Sequence, residues 1–314
     1  MEIRATRPDQ KKAYFFALLS ILCWSTVASA FKISLRTLTY IELLIISAFV
    51  STIVLFIIIM AQKKAASLKA LKRDDILLSL FMGFLNPFLY YLCVFKSYSL
   101  LPAQQAQPLN LIWGIVIVIF SIPILKQKVK IHTFIAILIS FMGVIIISTE
   151  GHLTFLKIKS PLGVALALGS SIFWSVYWLI NTKDKQDPII RLFLNFCFGT
   201  FFIILFFILF HPFRMPPIRG MIGATYVGLF EMGLTFYFWL KALKLSQTTA
   251  KVSILIYIMP FISLIFINLF VGEKILFSSI AGLVLIVGGI MLEQYDNLKV
   301  ILKKNPKKRL PPGE

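Results

Sequence analysis

The chain has 314 residues, 59% of them hydrophobic and only 14% charged, where soluble domains average roughly 25% charged. That shortage, with 30 phenylalanines, argues against an aqueous globular protein and for lipid as the surrounding medium. The +19 net charge does not form one basic patch but sits between apolar runs, where cations govern membrane orientation, so membrane lipids and not nucleic acid are the expected macroscopic partner.

A spanning helix needs about 20 mostly apolar residues. The first such run, Ala13–Ile33, follows Arg4, Arg7, Lys11 and Lys12 and passes through Ala28-Ser29-Ala30, the pattern of a cleavable signal peptide. Apolar character continues past Ala30 and the run has a counterpart later in the chain, so a retained helix is expected. The second run, Tyr40–Met60, carries Glu42 in its first turn, where a carboxylate suits the positive end of the helix dipole. The third, Ile76–Tyr98, contains Asn86-Pro87, then Tyr90 and Tyr91, and Lys96 near its end. A proline inside a span frees a backbone carbonyl, which is tolerated where backbone lines protein or a cavity. The fourth, Ala103–Leu125, opens with Gln104, Gln105, Gln107 and Asn110. Gln107, Asn110 and Gly114 share a face, with Trp113 close by. Thr133–Ser148 is the short fifth run.

Five more runs follow: Pro161–Asn181, Ile190–Phe210, Met221–Leu243, Thr248–Phe270 and Ser279–Tyr295. The cationic end, Lys303-Lys304-Asn305-Pro306-Lys307-Lys308-Arg309, reads as a disordered topology anchor drawn to anionic headgroups. Placing the termini and the connections near 61–75, 126–132, 182–191 and 241–251 on one side puts 24 of the 32 lysines and arginines there. The positive-inside rule then places both termini in the cytoplasm and the chain in the cytoplasmic membrane.

The halves resemble each other. Trp24-Ser25 matches Trp174-Ser175, and Gly83, Leu89, Lys96, Leu100, Ala136 and Gly143 match Gly228, Leu234, Lys241, Leu245, Ala281 and Gly288 at a constant offset of 145. Five spans per half is an odd number, so the halves enter the membrane from opposite sides. The expected fold is an all-α integral membrane protein of ten transmembrane helices, built as two inverted five-helix repeats. Residues 13–148 and 161–295 form the repeats, 149–160 connect them, and 1–12 and 296–314 are cytoplasmic tails. Inverted repeats recur in transporters, where two similar halves exchange inward- and outward-open shapes around a central site.

Ionisable groups inside a span cost about 2.5–3.5 kcal/mol on insertion scales and mark pathways. Glu231 lies mid-span, ten residues from Lys241, or about 15 Å along a helix. It is expected to contact an amine or relay a proton, although a carboxyl that only joins helices is also possible. Asn86 occupies the matching position in the first half. With these, Asn110, Trp113, Trp24, Trp174, Tyr90, Tyr237 and Tyr257 are the candidate solute contacts, the rings acting by stacking or cation–π attraction; Trp and Tyr also serve as interfacial anchors. The second pair, Trp174-Ser175, could instead bend its helix through a hydroxyl–backbone bond. Glu42 and Glu273 read as structural. His132, His152 and His211 fall in connections. Cys23, Cys93 and Cys197 show no metal or disulfide spacing. No Gly-rich phosphate loop is present, so no cofactor is expected, and any energy coupling would be secondary, with protons one option. The leading reading is a secondary transporter of a small organic solute working by alternating access. The alternative is a membrane-embedded enzyme acting on lipid or isoprenoid substrates. Oligomeric state is not readable.

Glu231-Met232-Gly233-Leu234, Trp239-Leu240-Lys241-Ala242-Leu243, and Pro260 followed by Val271-Gly272-Glu273 resemble the drug/metabolite transporter superfamily of the EamA type. Pro108-Leu109-Asn110-Leu111-Ile112-Trp113 is similar to the fourth-helix stretch of the amino-acid exporters in that superfamily. The resemblance implies a permease that exports metabolites, amino acids or related amphipathic solutes among them. Two positions depart from it: Ile115 stands opposite Pro260, and Lys128 opposite Glu273.

Overall fold

The protein is described here by a computed structural model covering residues 9–125, 131–152, 158–181, 183–212, 216–247, 252 and 254–293. Arg4, Arg7, Lys128 and the basic tail from Lys299 lie outside the described residues. Among those described, there are helices and no strands. Seven helices are long and apolar enough to cross a membrane: Gln10–Ser34, Tyr40–Ala61, Arg73–Leu100, Ala103–Phe120, Pro161–Asn181, Pro188–Phe210 and Ile218–Leu245. Three shorter apolar helices, Phe134–Ser148, Leu255–Val271 and Phe277–Leu292, accompany them.

We label the helical segments α1 (Gln10–Ser34), α2 (Tyr40–Ala61), α3 (Ala65–Lys69), α4 (Arg73–Gly83), α5 (Tyr90–Leu100), α6 (Ala103–Leu111), α7 (Trp113–Leu125), α8 (Ile131–Ser148), α9 (Pro161–Asn181), α10 (Pro188–Phe210), α11 (Ile218–Phe230), α12 (Leu234–Leu245), α13 (Met259–Phe266) and α14 (Phe277–Glu293). His132 therefore sits in the first turn of α8, not in a connection. Local chemistry sets the starts. Asp9 accepts from the Lys12 amide at 3.1 Å and caps α1. Thr39 and Glu42 form a reciprocal capping box on α2, the structural role the sequence suggested for Glu42. Asp187 caps α10 ahead of Pro188.

The bundle is apolar outside, and its largely apolar interior also holds many polar side chains. Phe49, Ile57, Phe134, Phe201, Ile208 and Phe210 point outward, while Ser25, Ser47, Asn86, Ser170, Asn195 and Thr235 are buried. Water penalises so broad an apolar exterior; lipid accepts it. In the interior, α1 packs between α11–α12 and α13 as α9 packs between α5 and α6–α7. The α2 helix lies against α10 and α11, α10 against α4, and α8 along α14. Glycines permit the closest crossings. A Cβ on Gly83 would lie 2.5 Å from the Asn195 carbonyl oxygen, and one on Gly282 would lie 2.7 Å from that of Gly143.

Two long helices are interrupted. Between α4 and α5 the chain runs through a π-helical turn, Phe84–Leu89, in which Asn86 is extended at φ −148° and ψ 117°. Between α11 and α12 the helix breaks over Glu231-Met232-Gly233, with Gly233 at φ −110° and ψ −93°. These are the positions that correspond at the offset of 145. Lys96 and Lys241, the charged pair of that correspondence, each cover a ring: Lys96 that of Tyr40 at 4.5 Å and Lys241 that of Phe16 at 4.3 Å.

Polar contacts tie both ends of the bundle. At one end Lys64 pairs with Asp187 at 2.6 Å, and the buried Arg191 holds Asp184 through two bonds and reaches Asp75 and Ser79. At the other end, Glu273 accepts from the first amides of α6, Ala103 at 2.9 Å and Gln104 at 3.2 Å. Lys32 donates there to the carbonyls of Tyr98 and Leu101, and Arg36 to that of Val271.

Candidate functional site

Both interruptions face a shared cluster of rings. Glu231 ends α11 at the break, its amide still bonded to the Val227 carbonyl at 2.8 Å, and its Oε1 accepts a 3.2 Å hydrogen bond from the Tyr91 hydroxyl of α5. Tyr91 packs edge-on to Tyr90 at 4.7 Å, and Tyr90 lies against Trp174 of α9 with ring centres 4.6 Å apart. The Tyr90 hydroxyl donates to Asn110 Oδ1 at 3.3 Å, and Asn110 Nδ2 donates to Ser170 Oγ at 2.7 Å. Trp174 further meets Trp113 at 6.5 Å and Phe236 at 6.0 Å, and Phe236 meets Trp24 of α1 at 5.8 Å. Six of the sequence candidates, Glu231, Tyr90, Asn110, Trp113, Trp174 and Trp24, thus belong to one continuous cluster drawn from both halves of the chain.

The Trp-Ser pairs explain part of this geometry. Ser25 Oγ bonds the Ile21 carbonyl in its own helix and reaches the Met259 carbonyl at 3.3 Å. Ser175 Oγ bonds the Ser171 carbonyl and reaches that of Trp113 at 3.1 Å. Ser175 makes the backbone bond that the sequence allowed, Ser25 makes its counterpart, and each also pins the neighbouring helix beside the tryptophan that precedes it.

Asn86 stands one shell away, fully buried, beside the Tyr177 hydroxyl, and neither of its amide atoms closes a hydrogen bond. Tyr177 stacks on Trp174 at 6.1 Å, so Asn86 adjoins the cluster from the first-half interruption. Leaving such a group unpartnered costs about 1–3 kcal/mol. Tyr237 lies apart, its ring 5.7 Å from the Lys241 ammonium and 5.9 Å from Phe238. Tyr257 is buried in the 3-10 turn Ile254–Ile258. Tyr91, Ser170, Asn195 and Phe236 are components that the sequence candidates omit. Asn195 is a polar residue in mid-span and could have been flagged by the rule that flagged Glu231. Phe236 is one of 30 phenylalanines and carries no distinguishing signal.

Two cavities lie toward the Arg191 end. One of about 170 Å³ is bounded by Tyr177, Trp178, Asn181, Pro188, Leu192, Phe236 and Leu240, and so touches the ring cluster at Phe236. The other, about 240 Å³, lies over Leu78, Val176, Leu179 and Ile180 beside Lys183 and Asp184.

The model of the EamA-like transporter family matches the chain twice, over residues 11–149 and 161–293. The chain belongs to the EamA-like transporter family. It is 24% identical over 297 residues to an uncharacterized transporter of Clostridium kluyveri, covering 92% of this chain and 95% of that protein. It is also 24% identical over 276 residues to the uncharacterized transporter YetK of Bacillus subtilis, covering 82% and 77%. A solved structure, described only as the crystal structure of a protein, superposes with a TM-score of 0.63 at 19% identity, over 93% of this chain and 99% of that one. That likeness concerns the fold. As a member of this family, the chain is an integral membrane protein of the drug/metabolite transporter superfamily, and its apolar exterior and long apolar helices agree with that.

Proposed function

We propose that this EamA-like protein is a secondary transporter that moves a small amphipathic organic metabolite, an amino acid or related amine, across the cytoplasmic membrane by alternating access, with efflux as its direction. The observation that carries the reading is Glu231: a mid-span carboxyl at a helix break, bonded to a tyrosine and set beside a cluster of aromatic rings. A carboxylate beside ring faces is complementary to an ammonium joined to an apolar body. The same carboxyl could bind the solute or a proton in alternation, which makes proton coupling the form of energy use we favour.

Ten spans in two inverted five-helix repeats, with both termini cytoplasmic, are part of this proposal. Supporting it are the double family match, the paired interruptions, the mirrored packing of α1 and α9, and the bias of basic residues. On that orientation the Arg191 end faces the cytoplasm, and both cavities lie on the cytoplasmic side of the ring cluster. A membrane-embedded enzyme is not favoured, because family and relatives are transporters by name.

The test is counterflow in liposomes holding the purified full chain. Saturable exchange of a labelled amino acid or aromatic amine, abolished without a gradient of unlabelled solute, is the expected result. Absence of exchange across amino acids, amines and their amides would remove the reading.

A further inference from the structure

The ring cluster accounts for Glu231, Tyr90 and Trp174 but not for the polar group next to it. Tyr177 projects from α9 into a ring of three asparagines. Asn195 Nδ2 donates to its hydroxyl at 3.2 Å, and the side chains of Asn86 and Asn181 face the same oxygen. Asn86, Asn195 and Tyr177 are at most 2% exposed. Three amide atoms remain without a partner: both of Asn86 and Oδ1 of Asn195. Buried amides normally find partners, and a cluster of this kind on three helices, α9, α10 and the π-helical turn after α4, is not explained by packing. The 170 Å³ cavity adjoins the cluster at Tyr177 and Asn181, which form part of its wall, while Asn86 and Asn195 do not line it.

We propose that Asn86, Asn195 and Tyr177, with Asn181 at the mouth, form a second subsite that binds an uncharged group able both to donate and to accept hydrogen bonds, a primary carboxamide or a hydroxyl, on the transported solute. The inventory of open atoms sets this class. Two are carbonyl oxygens and one is an NH₂, so the guest must donate as well as accept. A carboxylate, which only accepts, would meet two oxygens it cannot pair with, and an ammonium would leave the NH₂ unserved. The stack of Tyr177 on Trp174 joins this subsite to the rings, so a single solute can place its amine toward Glu231 and its polar group among the asparagines.

The inference rests on the transporter reading, and the experiment separates the two. The full chain in lipid nanodiscs is titrated with tritiated aromatic amines, each prepared with and without a terminal primary carboxamide on spacers of increasing length. At one spacer length the carboxamide should tighten binding by about tenfold, the effect of one or two well-made hydrogen bonds. Asn195→Leu and Tyr177→Phe should each bring the ratio between the paired ligands close to one. Tyr177→Phe keeps the ring that packs on Trp174, so it reports on the hydroxyl even where the leucine variant folds poorly. If plain amines bind but no spacer yields a gain, or the gain survives both variants, the subsite is wrong and the transporter reading stands. If neither set binds to the wild-type protein, both fall. A cluster filled only by water gives a ratio of one in the wild-type protein and overturns the subsite.

Discussion

The Tyr91 hydroxyl and Glu231 Oε1 lie 3.2 Å apart, joining the helix that follows one interruption to the residue that forms the other. Tyr91 is buried to 0% exposure, so its hydroxyl has no recourse to water and the contact holds the carboxyl in place. Replacing Glu231 with glutamine keeps an acceptor for Tyr91 but removes the charge. On the proposed function, Glu231→Gln should lower amine counterflow by tenfold or more and flatten its dependence on pH between about 5 and 9. Tyr91→Phe, which removes one hydrogen bond, should cost only about fivefold. Normal transport and an unchanged pH profile in Glu231→Gln would make that carboxyl a structural link only.

Arg191 of α10 is 2% exposed and reaches two other parts of the chain, Asp184 in the connection before α10, and Asp75 and Ser79 in α4. Truncating a buried ion pair strands its partners, at a cost of about 3–5 kcal/mol. Arg191→Ala should therefore lower the melting temperature of the detergent-solubilised protein strongly. Arg191→Lys, which keeps charge but cannot form the two-pronged contact with Asp184, should fall in between. A lysine variant as stable as the wild type would mean that charge alone matters there.

Asp187 gives a pH dependence with a definite sign. Partial burial pushes its carboxyl up, but the Lys64 hydrogen bond and charge, with the amides of Ile189 and Ile190, hold it below the ordinary 3.8 overall. A carboxyl lowered on folding stabilises the fold above its unfolded value and loses that contribution as pH falls through its folded value. Melting followed from pH about 5 down to about 3 should show a fall in stability that Asp187→Asn reduces. The effect is modest, since both partners are about a third exposed and solvent screens them. A fall of the same size in the asparagine variant would assign it to other carboxylates.

Hydropathy made the spans legible because a membrane helix must satisfy its backbone internally and be apolar over its length. Pro161–Asn181 has the same bounds in sequence and structure. The interruption at Asn86 was announced by Pro87; the one at Glu231 was not expected, since Glu231 read as a mid-span residue of an unbroken helix. Trp24 and Trp174 stood out through their shared serine, and both entered the cluster. Tyr237 and Tyr90 looked equivalent in sequence, yet one turns to Lys241 and the other to Trp174. Which face of a helix meets which neighbour depends on crossing geometry, and in a chain apolar on every side no periodicity records it. The asparagine cluster was hidden for a related reason: Asn86 and Asn195 are 109 positions apart, and only the contact of α10 with the turn after α4 brings them together.

That contact depends on two glycines. A Cβ on Gly83 would sit 2.5 Å from the Asn195 carbonyl oxygen and 2.8 Å from the Gly199 nitrogen, and one on Gly199 would strike the Pro87 ring. The obstacles are backbone and a rigid ring, not flexible side-chain ends, so α4 and α10 must separate to admit even a methyl group. Overpacking of this kind costs about 1–3 kcal/mol. Gly169, in mid-α9, has nothing within 4 Å of its Cβ position, and alanine there gains up to about 1 kcal/mol of helix propensity. Gly83→Ala and Gly199→Ala should thus lower the melting temperature in detergent, while Gly169→Ala leaves it unchanged or raises it. Because that crossing sets the turn that holds Asn86 against the helix that holds Asn195, the first two variants should also impair solute binding out of proportion to the loss of stability. Equal melting temperatures for all three alanines would show that α4 and α10 do not approach as closely as described.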